Sequence, residues 1–254
     1  MNITDRRRIL GPANAKPLIF DRSLAPVDDG KEESEKPVSE TRDESIYIEN
    51  GAVANSNGSS YLEVKSRTND KNCTLLLTSI YGPRPSRGAF NAKATLSVQF
   101  KEVTLEKIGA GQIKEICTFL TNVFNAVVNL ERYPKSGIDV FLSLIHSSSG
   151  PQDFELESIL TACVNGITLA FVDAGIEILD TVSAGMYKKN VTAFMKNGTE
   201  VVGFWKDDDE HSSGEGILNI VEKCKEHYLK NRKTMIESMI RSRNKTGLTD
   251  KQAS

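Results

Sequence analysis

The segment that decides the fold is residues 155–174, ELESILTACVNGITLAFVDA, in the second half of the chain. Apolar side chains occur nearly all round a helix drawn through it, which is typical of a helix that is deeply buried. Gly175 follows, and glycine is the residue that most often ends a helix in a left-handed conformation. We therefore predict a central buried helix that ends at this glycine.

Strand patterns surround a second helix on the N-terminal side of this segment. The strands are predicted from apolar runs and alternation, over 46–67 around the turn signal Ser56-Asn57-Gly58, over 73–82 (CTLLLTSIYG), over 94–100 and over 138–144. The unbroken apolar run 73–82 indicates a strand that is buried on both faces and ends at Gly82-Pro83. Apolar residues at helical spacing predict the second helix over 111–130, in a segment closed by Pro134.

Three short strands and a long helix follow the central helix. The strands are TVSAGMY (181–187), NVTAFM (190–195) and EVVGFW (200–205), with Lys196-Asn197-Gly198 as the hairpin turn. The helix starts at about Ile217. This order predicts an α+β fold: one domain of mixed sheets packed on helices.

Composition divides the chain into four segments. We predict an extended N-terminal tail over 1–20, an acidic low-complexity linker over 21–45, the folded domain over 46–240 and a basic tail over 241–254. The linker is polar and acidic with little periodicity, so we expect it to be disordered.

Charge and hydropathy exclude several classes of protein. Lys and Arg total 32 and Asp and Glu total 34, which leaves a net charge of -2. That balance excludes a strongly basic free nucleic-acid binder but allows a local basic patch. The N-terminus MNITDRRRIL has no apolar core of a secretory signal, and no 18-residue apolar stretch predicts a membrane span. We expect a soluble intracellular protein.

Cysteine and histidine give no sign of a metal site. The four cysteines are scattered, without a C-x-x-C pair, and each lies among apolar residues. Buried reduced thiols are favoured over disulfides. The three histidines lie apart from the cysteines, so a zinc site is not expected.

Carboxylates offer two further candidates for chemistry. Asp207, Asp208 and Asp209 could hold a hard cation, but a solvated acidic loop before a helix is favoured. Asp173 and Asp180 flank a helix end and a strand start, and capping or turn roles are favoured over catalysis. The chain has no G-x-S-x-G and no P-loop motif, and no metal or cofactor is expected.

Basic residues in one rigid loop are the better signal. Arg84 and Arg87 lie with Pro83, Pro85 and Gly88 in a nine-residue loop between two predicted strands. Two guanidinium groups on such a loop can bind phosphates without reading sequence. Arg132 and Lys135 flank the next turn. Ordinary surface charge and phosphate contact both remain open for these residues.

Three motifs together resemble the ribonuclease PH family. They are NCTLLLTSIYGP (72–83), ERYPKSGIDVF (131–141) and NGITLAFVDAGI (165–176), and they occur in the family's order. Within that family the N-terminal DRRRILGPANAKP and the GFWKDD segment (203–208) are similar to ring subunits of the eukaryotic RNA exosome. The resemblance implies the ribonuclease PH fold and a six-membered ring of related subunits, capped on one face by RNA-binding proteins.

Active members of this family carry out phosphorolysis, and the resemblance implies that this chain lacks the machinery. Ile159 and Leu160 stand where the family's phosphate-binding Thr-Arg pair would be, and an aliphatic pair offers neither charge nor donor. Thr118, Asn122 and Asn125 stand where a preceding helix would carry arginines. The short region after the DAGI turn, where the family carries its two active-site Asp residues, contains no Asp over 181–200.

The leading hypothesis is therefore a non-catalytic structural subunit of the exosome core ring. Its expected partners are other ribonuclease PH-like ring subunits, RNA-binding cap proteins and single-stranded RNA threaded through the ring, and no membrane. By the resemblance, Arg84 and Arg87 belong to a loop that faces the channel neck. We expect the protein in the nucleus, including the nucleolus, and in the cytoplasm. The alternatives are an active phosphorolytic 3′-5′ exoribonuclease and a stand-alone RNA-binding module.

Overall fold

The structure is a computed structural model of the chain that describes residues 44–66, 73–87, 89–103, 108–147, 156–206 and 216–249. All elements below belong to the unit Ser39–Ser254. The predicted N-terminal tail, the predicted linker up to residue 43, Gly88 and the Asp207–Asp209 trio lie outside the described residues.

Five strands form the larger sheet. Their bounds are β1 Glu44–Asn50, β2 Gly58–Ser66, β3 Cys73–Pro85, β4 Thr95–Glu102 and β5 Ser136–Ser147. They are ordered β1-β2-β3-β5-β4. Every neighbouring pair is antiparallel except β4 and β5, which are parallel. Glu44 and Ser45, assigned to the linker from the sequence, begin β1 and pair with Ser66 and Lys65 of β2.

Two helices cover one face of this sheet. Helix α1 spans Ala110–Val127 and connects the parallel strands β4 and β5, as parallel pairing requires. Helix α2 spans Leu156–Asp173 and packs against β2 and β3. Helix α1 ends before the predicted residue 130, because Val128 leaves helical geometry to form an isolated bridge with Ile178.

A second sheet lies on the other side of α2. It is antiparallel, ordered β6-β7-β8, with β6 Ser183–Tyr187, β7 Asn190–Met195 and β8 Glu200–Lys206. Helix α3, Ile217–Thr249, packs against β6 and β7. The helix passes the predicted domain boundary at 240 and continues to Thr249, since no proline interrupts it and Gly247 is its first glycine. The fold thus alternates sheet, helices, sheet and helix, which confirms the α+β prediction.

The central helix α2 is buried as predicted. Every residue from Ile159 to Phe171 is buried. Two backbone hydrogen bonds cap its C-terminus, as in a Schellman motif. The amide of Gly175 donates to the Val172 carbonyl at 3.1 Å, and the amide of Ile176 donates to the Phe171 carbonyl at 3.2 Å. Gly175 has a φ of 65°, the left-handed conformation that the sequence predicted for this stop. By length and composition α2 could also cross a membrane, but 72% of it is buried inside this fold, as expected for a core helix.

The prediction for β3 was wrong in two respects. Thr74, Leu76, Thr78 and Ile80 are buried, whereas the intervening side chains on the other face are only half-buried. The described helix that packs on β3 is α2, and it covers one face only. The strand also continues past Gly82-Pro83 to Pro85, because pairing with β5 resumes after a register shift.

All four cysteines are free thiols, as predicted, but only two of them are buried. Cys163 and Cys224 are buried, and Cys73 and Cys117 are half-buried. Burial is the largest cause that raises the pKa of all four thiols, so each holds its proton more firmly than a cysteine in water.

Thiol labelling at pH 8 should therefore separate the cysteines into two pairs. The thiolate is the reactive form, and burial both shields the sulfur from the reagent and suppresses its ionisation. In the native protein we expect Cys163 and Cys224 to be unreactive toward Ellman's reagent while Cys73 and Cys117 react slowly. All four should react in guanidinium chloride. Rapid reaction of four thiols in the native state would contradict this assignment of burial.

The same burial sets the direction of the alkaline pH dependence. The pKa of Cys163 lies above its unfolded value, so the folded state keeps a proton that the unfolded chain releases above about pH 8.5. Stability is therefore retained below that pH and falls as the pH rises.

Candidate nucleic-acid interface

Arg84 lies at the end of β3, not in the following loop as predicted. Beyond the register shift it pairs with Gly137 of β5, and Pro85 pairs with Ser136. Gly82 makes the shift possible: its φ is 127°, and a Cβ there would lie 2.6 Å from the Gly137 carbonyl oxygen. The irregular strand end therefore holds the backbone of Arg84 on the sheet while its side chain is exposed.

An aromatic neighbour orients the Arg84 guanidinium. Its central carbon lies 5.0 Å from the centroid of the Tyr81 ring, within cation–π range. The Tyr81 ring in turn packs edge-to-face on Phe141 of β5, with centroids 5.6 Å apart. Two strands thus support the position of one exposed cation.

The loop between β3 and β4 is closed through a single residue, Lys135. The Ser86 amide donates to the Lys135 carbonyl at 3.0 Å, and the Lys135 amide donates to the Asn91 carbonyl at 2.8 Å. The two residues that flank the segment 87–90, Ser86 and Asn91, are therefore both hydrogen-bonded to the same residue of the turn before β5. Lys135 itself adopts a left-handed conformation with a φ of 53°. The exposed Arg87 directly follows Ser86, so the hydrogen bond of the Ser86 amide fixes where the Arg87 backbone starts.

Ion pairing sorts the basic residues near this loop into two groups. Lys93 pairs with Glu131 at 3.0 Å, and Arg132 pairs with Glu177 at 3.2 Å. Among the described residues no carboxylate forms an ion pair with Arg84, Arg87 or Lys135. Arg84 at the end of β3, Arg87 in the following loop and Lys135 in the turn before β5 form what we call the basic loop patch, and hydrogen bonds join that loop to that turn. Such an arrangement can bind phosphates without reading bases.

Lys135 is marked in the sequence only as one of two cations at a turn. Its link to Arg87 depends on the pairing of β3 with β5, which the sequence pattern does not reveal. Its companion Arg132 is instead compensated by Glu177 from the segment that follows α2.

Ile159 and Leu160 belong to the hydrophobic core. They are 1% and 0% exposed, near the start of α2, and pack in the main core cluster. Neither side chain offers a charge or a donor, so nothing at these two positions can hold an anion. On α1, Thr118, Asn122 and Asn125 are exposed and carry no charge.

Asp173 and Asp180 serve the backbone. Asp173 accepts a hydrogen bond from the Ser59 amide at 2.8 Å. Asp180 accepts from the Thr181 amide at 2.7 Å and from the Lys196 amide at 2.5 Å, which supports the β7–β8 turn. The Asp180 contacts support the turn role favoured from the sequence, whereas Asp173 joins the end of α2 to β2 instead of capping a helix or forming a turn. Within the described residues, no three side chains of metal-binding type come together.

Comparison with known proteins identifies the family. The model of the ribonuclease PH family, described as "3' exoribonuclease family, domain 1", matches residues 43–177, more than half of the chain. The protein belongs to the ribonuclease PH family.

Relatives of this ribonuclease PH chain include several exosome components. It is 29% identical over 203 residues to "Exosome complex component MTR3" of Chaetomium thermophilum, covering 72% of this chain and 70% of the relative. It is 28% identical over 219 residues to "Exosome complex component mtr3" of Schizosaccharomyces pombe, covering 82% and 73%. Human "Exosome complex component RRP41" is 27% identical over 172 residues, covering 62% and 64%.

A solved structure confirms the fold of this ribonuclease PH chain. Rice Rrp46 matches with a TM-score of 0.55 and 18% sequence identity, covering 76% of this chain and 94% of that one. This is the fold that the three sequence motifs imply. The family model reaches from the start of the five-stranded sheet through α2, so it includes the basic loop patch.

Proposed function

We propose that the protein is a non-catalytic structural subunit of the RNA exosome core ring, which supports 3′-5′ RNA processing and degradation by helping to form the channel that threads RNA. The observation that carries the proposal is the similarity to two fungal MTR3 exosome components over at least 70% of each chain. Its partners would be other ribonuclease PH-like ring subunits and RNA-binding cap proteins, in the nucleus, the nucleolus and the cytoplasm.

The absence of catalysis rests on what occupies two positions. The buried pair Ile159 and Leu160 replaces the Thr-Arg pair that active family members use for phosphate. The hairpin of β6 and β7, where the family carries its Asp pair, has the sequence SAGMYKKNVTAFM with no carboxylate. With no phosphate-binding pair on α2 and no Asp pair on this hairpin, the attack of phosphate on a phosphodiester would gain no stabilisation at these positions.

RNA contact in this proposal is local and shared with the partners. The basic loop patch of Arg84, Arg87 and Lys135 can bind phosphates of any sequence, which suits a channel that threads many RNAs. The overall charge of -2 agrees with a subunit that contributes a few contacts to a larger positive field.

The mass of the endogenous complex tests ring membership directly. The protein is purified through a small tag under native conditions, and the intact complex is measured by native mass spectrometry. We expect a hetero-oligomer in which this chain occurs once among related subunits. A monomer would refute the proposal.

A phosphorolysis assay tests the absence of catalysis separately. The isolated chain is incubated with inorganic phosphate and a short oligonucleotide, and the release of nucleoside diphosphates is followed. We expect no release above a blank without protein. Clear release that is lost on Arg84→Ala would establish the alternative, an active phosphorolytic exoribonuclease.

A further inference from the structure

Phe90 is the most exposed aromatic side chain in the described part of the chain. It is 73% exposed, compared with 55% for Tyr47 and 36% for Phe141. It makes no ring contact with any other described aromatic residue. A ligand that covers this ring would remove apolar surface from water, which favours binding.

The loop presents this ring beside the basic loop patch. Phe90 directly precedes Asn91, whose carbonyl accepts from the Lys135 amide, and Arg87 directly follows Ser86, whose amide donates to the Lys135 carbonyl. Because both hydrogen bonds are made to Lys135, the backbones of Phe90 and Arg87 are held close to each other. Three residues of chain separate them by at most about 10 Å even when fully extended.

The surroundings of Phe90 do not suit a protein interface. Its chain neighbours Ala89 and Ala92 are small, Asn91 is polar, and the exposed Arg87 precedes it by three residues on a loop bonded to Lys135. A protein–protein contact needs a contiguous apolar area with several buried side chains. A single ring on a loop that also carries or contacts cations matches a different ligand, because single-stranded nucleic acid offers unstacked bases next to phosphates.

We propose that Phe90 is a base-stacking residue for single-stranded RNA, with Arg84, Arg87 and Lys135 binding the adjoining phosphates. The inference deepens the proposed function, since it rests on RNA passing this loop in the assembled ring. Stacking on a ring is tolerant of sequence because every base has an aromatic face, so the contact would hold any RNA in register without selecting it.

The test measures RNA affinity of the assembled complex carrying variants of this chain. A fluorescently labelled 24-nucleotide oligouridine is titrated without divalent cations at several salt concentrations. We expect Phe90→Ala to raise Kd about 5- to 100-fold, the range for loss of one base–aromatic stack, with the salt dependence unchanged. Phe90→Trp should restore wild-type affinity. Tyr47→Ala, which removes an exposed ring on β1, is the matched control and should leave Kd unchanged.

The salt dependence separates stacking from charge. Arg87→Ala should lower the slope of log K against log salt by about 0.7, the value for one phosphate contact on a single strand. An unchanged Kd for Phe90→Ala overturns the stacking inference. So does a Phe90→Ala chain that fails to enter the complex while the complexes that do form bind RNA normally, because Phe90 would then contact protein.

Failure of the proposed function would look different. If the wild-type chain forms no complex, ring membership is refuted, and the same titration on the isolated chain shows whether Phe90→Ala still raises Kd. The failure of one proposal is therefore distinguishable from the failure of the other.

Discussion

Replacing Gly185 with alanine is expected to lower the free energy of unfolding by at least about 3 kcal/mol. A Cβ at Gly185 of β6 would lie 1.9 Å from the Cys224 carbonyl oxygen and 2.7 Å from the Tyr228 amide nitrogen. Both are backbone atoms of α3, so no side-chain rotation relieves the clash. The helix must move away from the sheet, which opens the small core that Phe194, Cys224 and Tyr228 share.

Urea unfolding followed by circular dichroism measures this effect. Gly111→Ala is the matched control, since Gly111 lies on α1 with no other atom within 4 Å of its virtual Cβ. Alanine favours helix, so that variant should be as stable as the wild type or more stable by up to about 1 kcal/mol. A Gly185→Ala protein within about 0.5 kcal/mol of the wild type would show that β6 and α3 do not approach this closely.

Local patterns predict the elements well because their signals are short-range. Helix α2 is recognisable from its continuous apolar surface, and the left-handed Gly175 from its position after it. The Lys196-Asn197-Gly198 turn is likewise predicted, and all three residues have positive φ. In each case the information lies in a few consecutive residues.

The errors arise where distant segments decide the outcome. The end of β3 depends on β5, because pairing of Arg84 with Gly137 extends the strand past the proline that closes its apolar run. His227 of α3 depends on distant segments in the same way, because its ring nitrogens lie 3.1 Å from the Met186 amide nitrogen of β6 and 3.5 Å from a Glu44 carboxylate oxygen of β1. The helical pattern of α3 alone does not reveal these contacts with two strands.

The candidate interface shows the same division. Arg84 and Arg87 stand out in the sequence because two arginines in a short stretch with Pro83, Pro85 and Gly88 form a local signal. The contribution of Lys135 requires the hydrogen bonds that join two loops, and the neutralisation of Arg132 requires Glu177 from a third segment. Which cations remain available for a phosphate is thus a property of the fold.

Phe171→Ala is expected to destabilise the protein by about 3–5 kcal/mol, as for other buried aromatic residues truncated in a core. Phe171 of α2 and Phe124 of α1 are both 0% exposed, with ring centroids 5.6 Å apart. The pair joins the two helices that lie between the sheets. Truncation leaves a cavity that the surrounding strands cannot fill without losing their register, so little of the loss should be recovered by relaxation.

Three further variants show whether the loss comes from this interface. Phe171→Leu keeps most of the volume and should be destabilised by less than about 2 kcal/mol. Phe90→Ala removes an equal ring from the surface and should change stability by no more than about 0.5 kcal/mol. A double-mutant cycle with Phe124→Ala should give a coupling of about 0.5–1.5 kcal/mol in urea unfolding. If the losses of stability in the two single variants simply add in the double variant, a direct contact is contradicted, because additivity means that the two side chains do not interact.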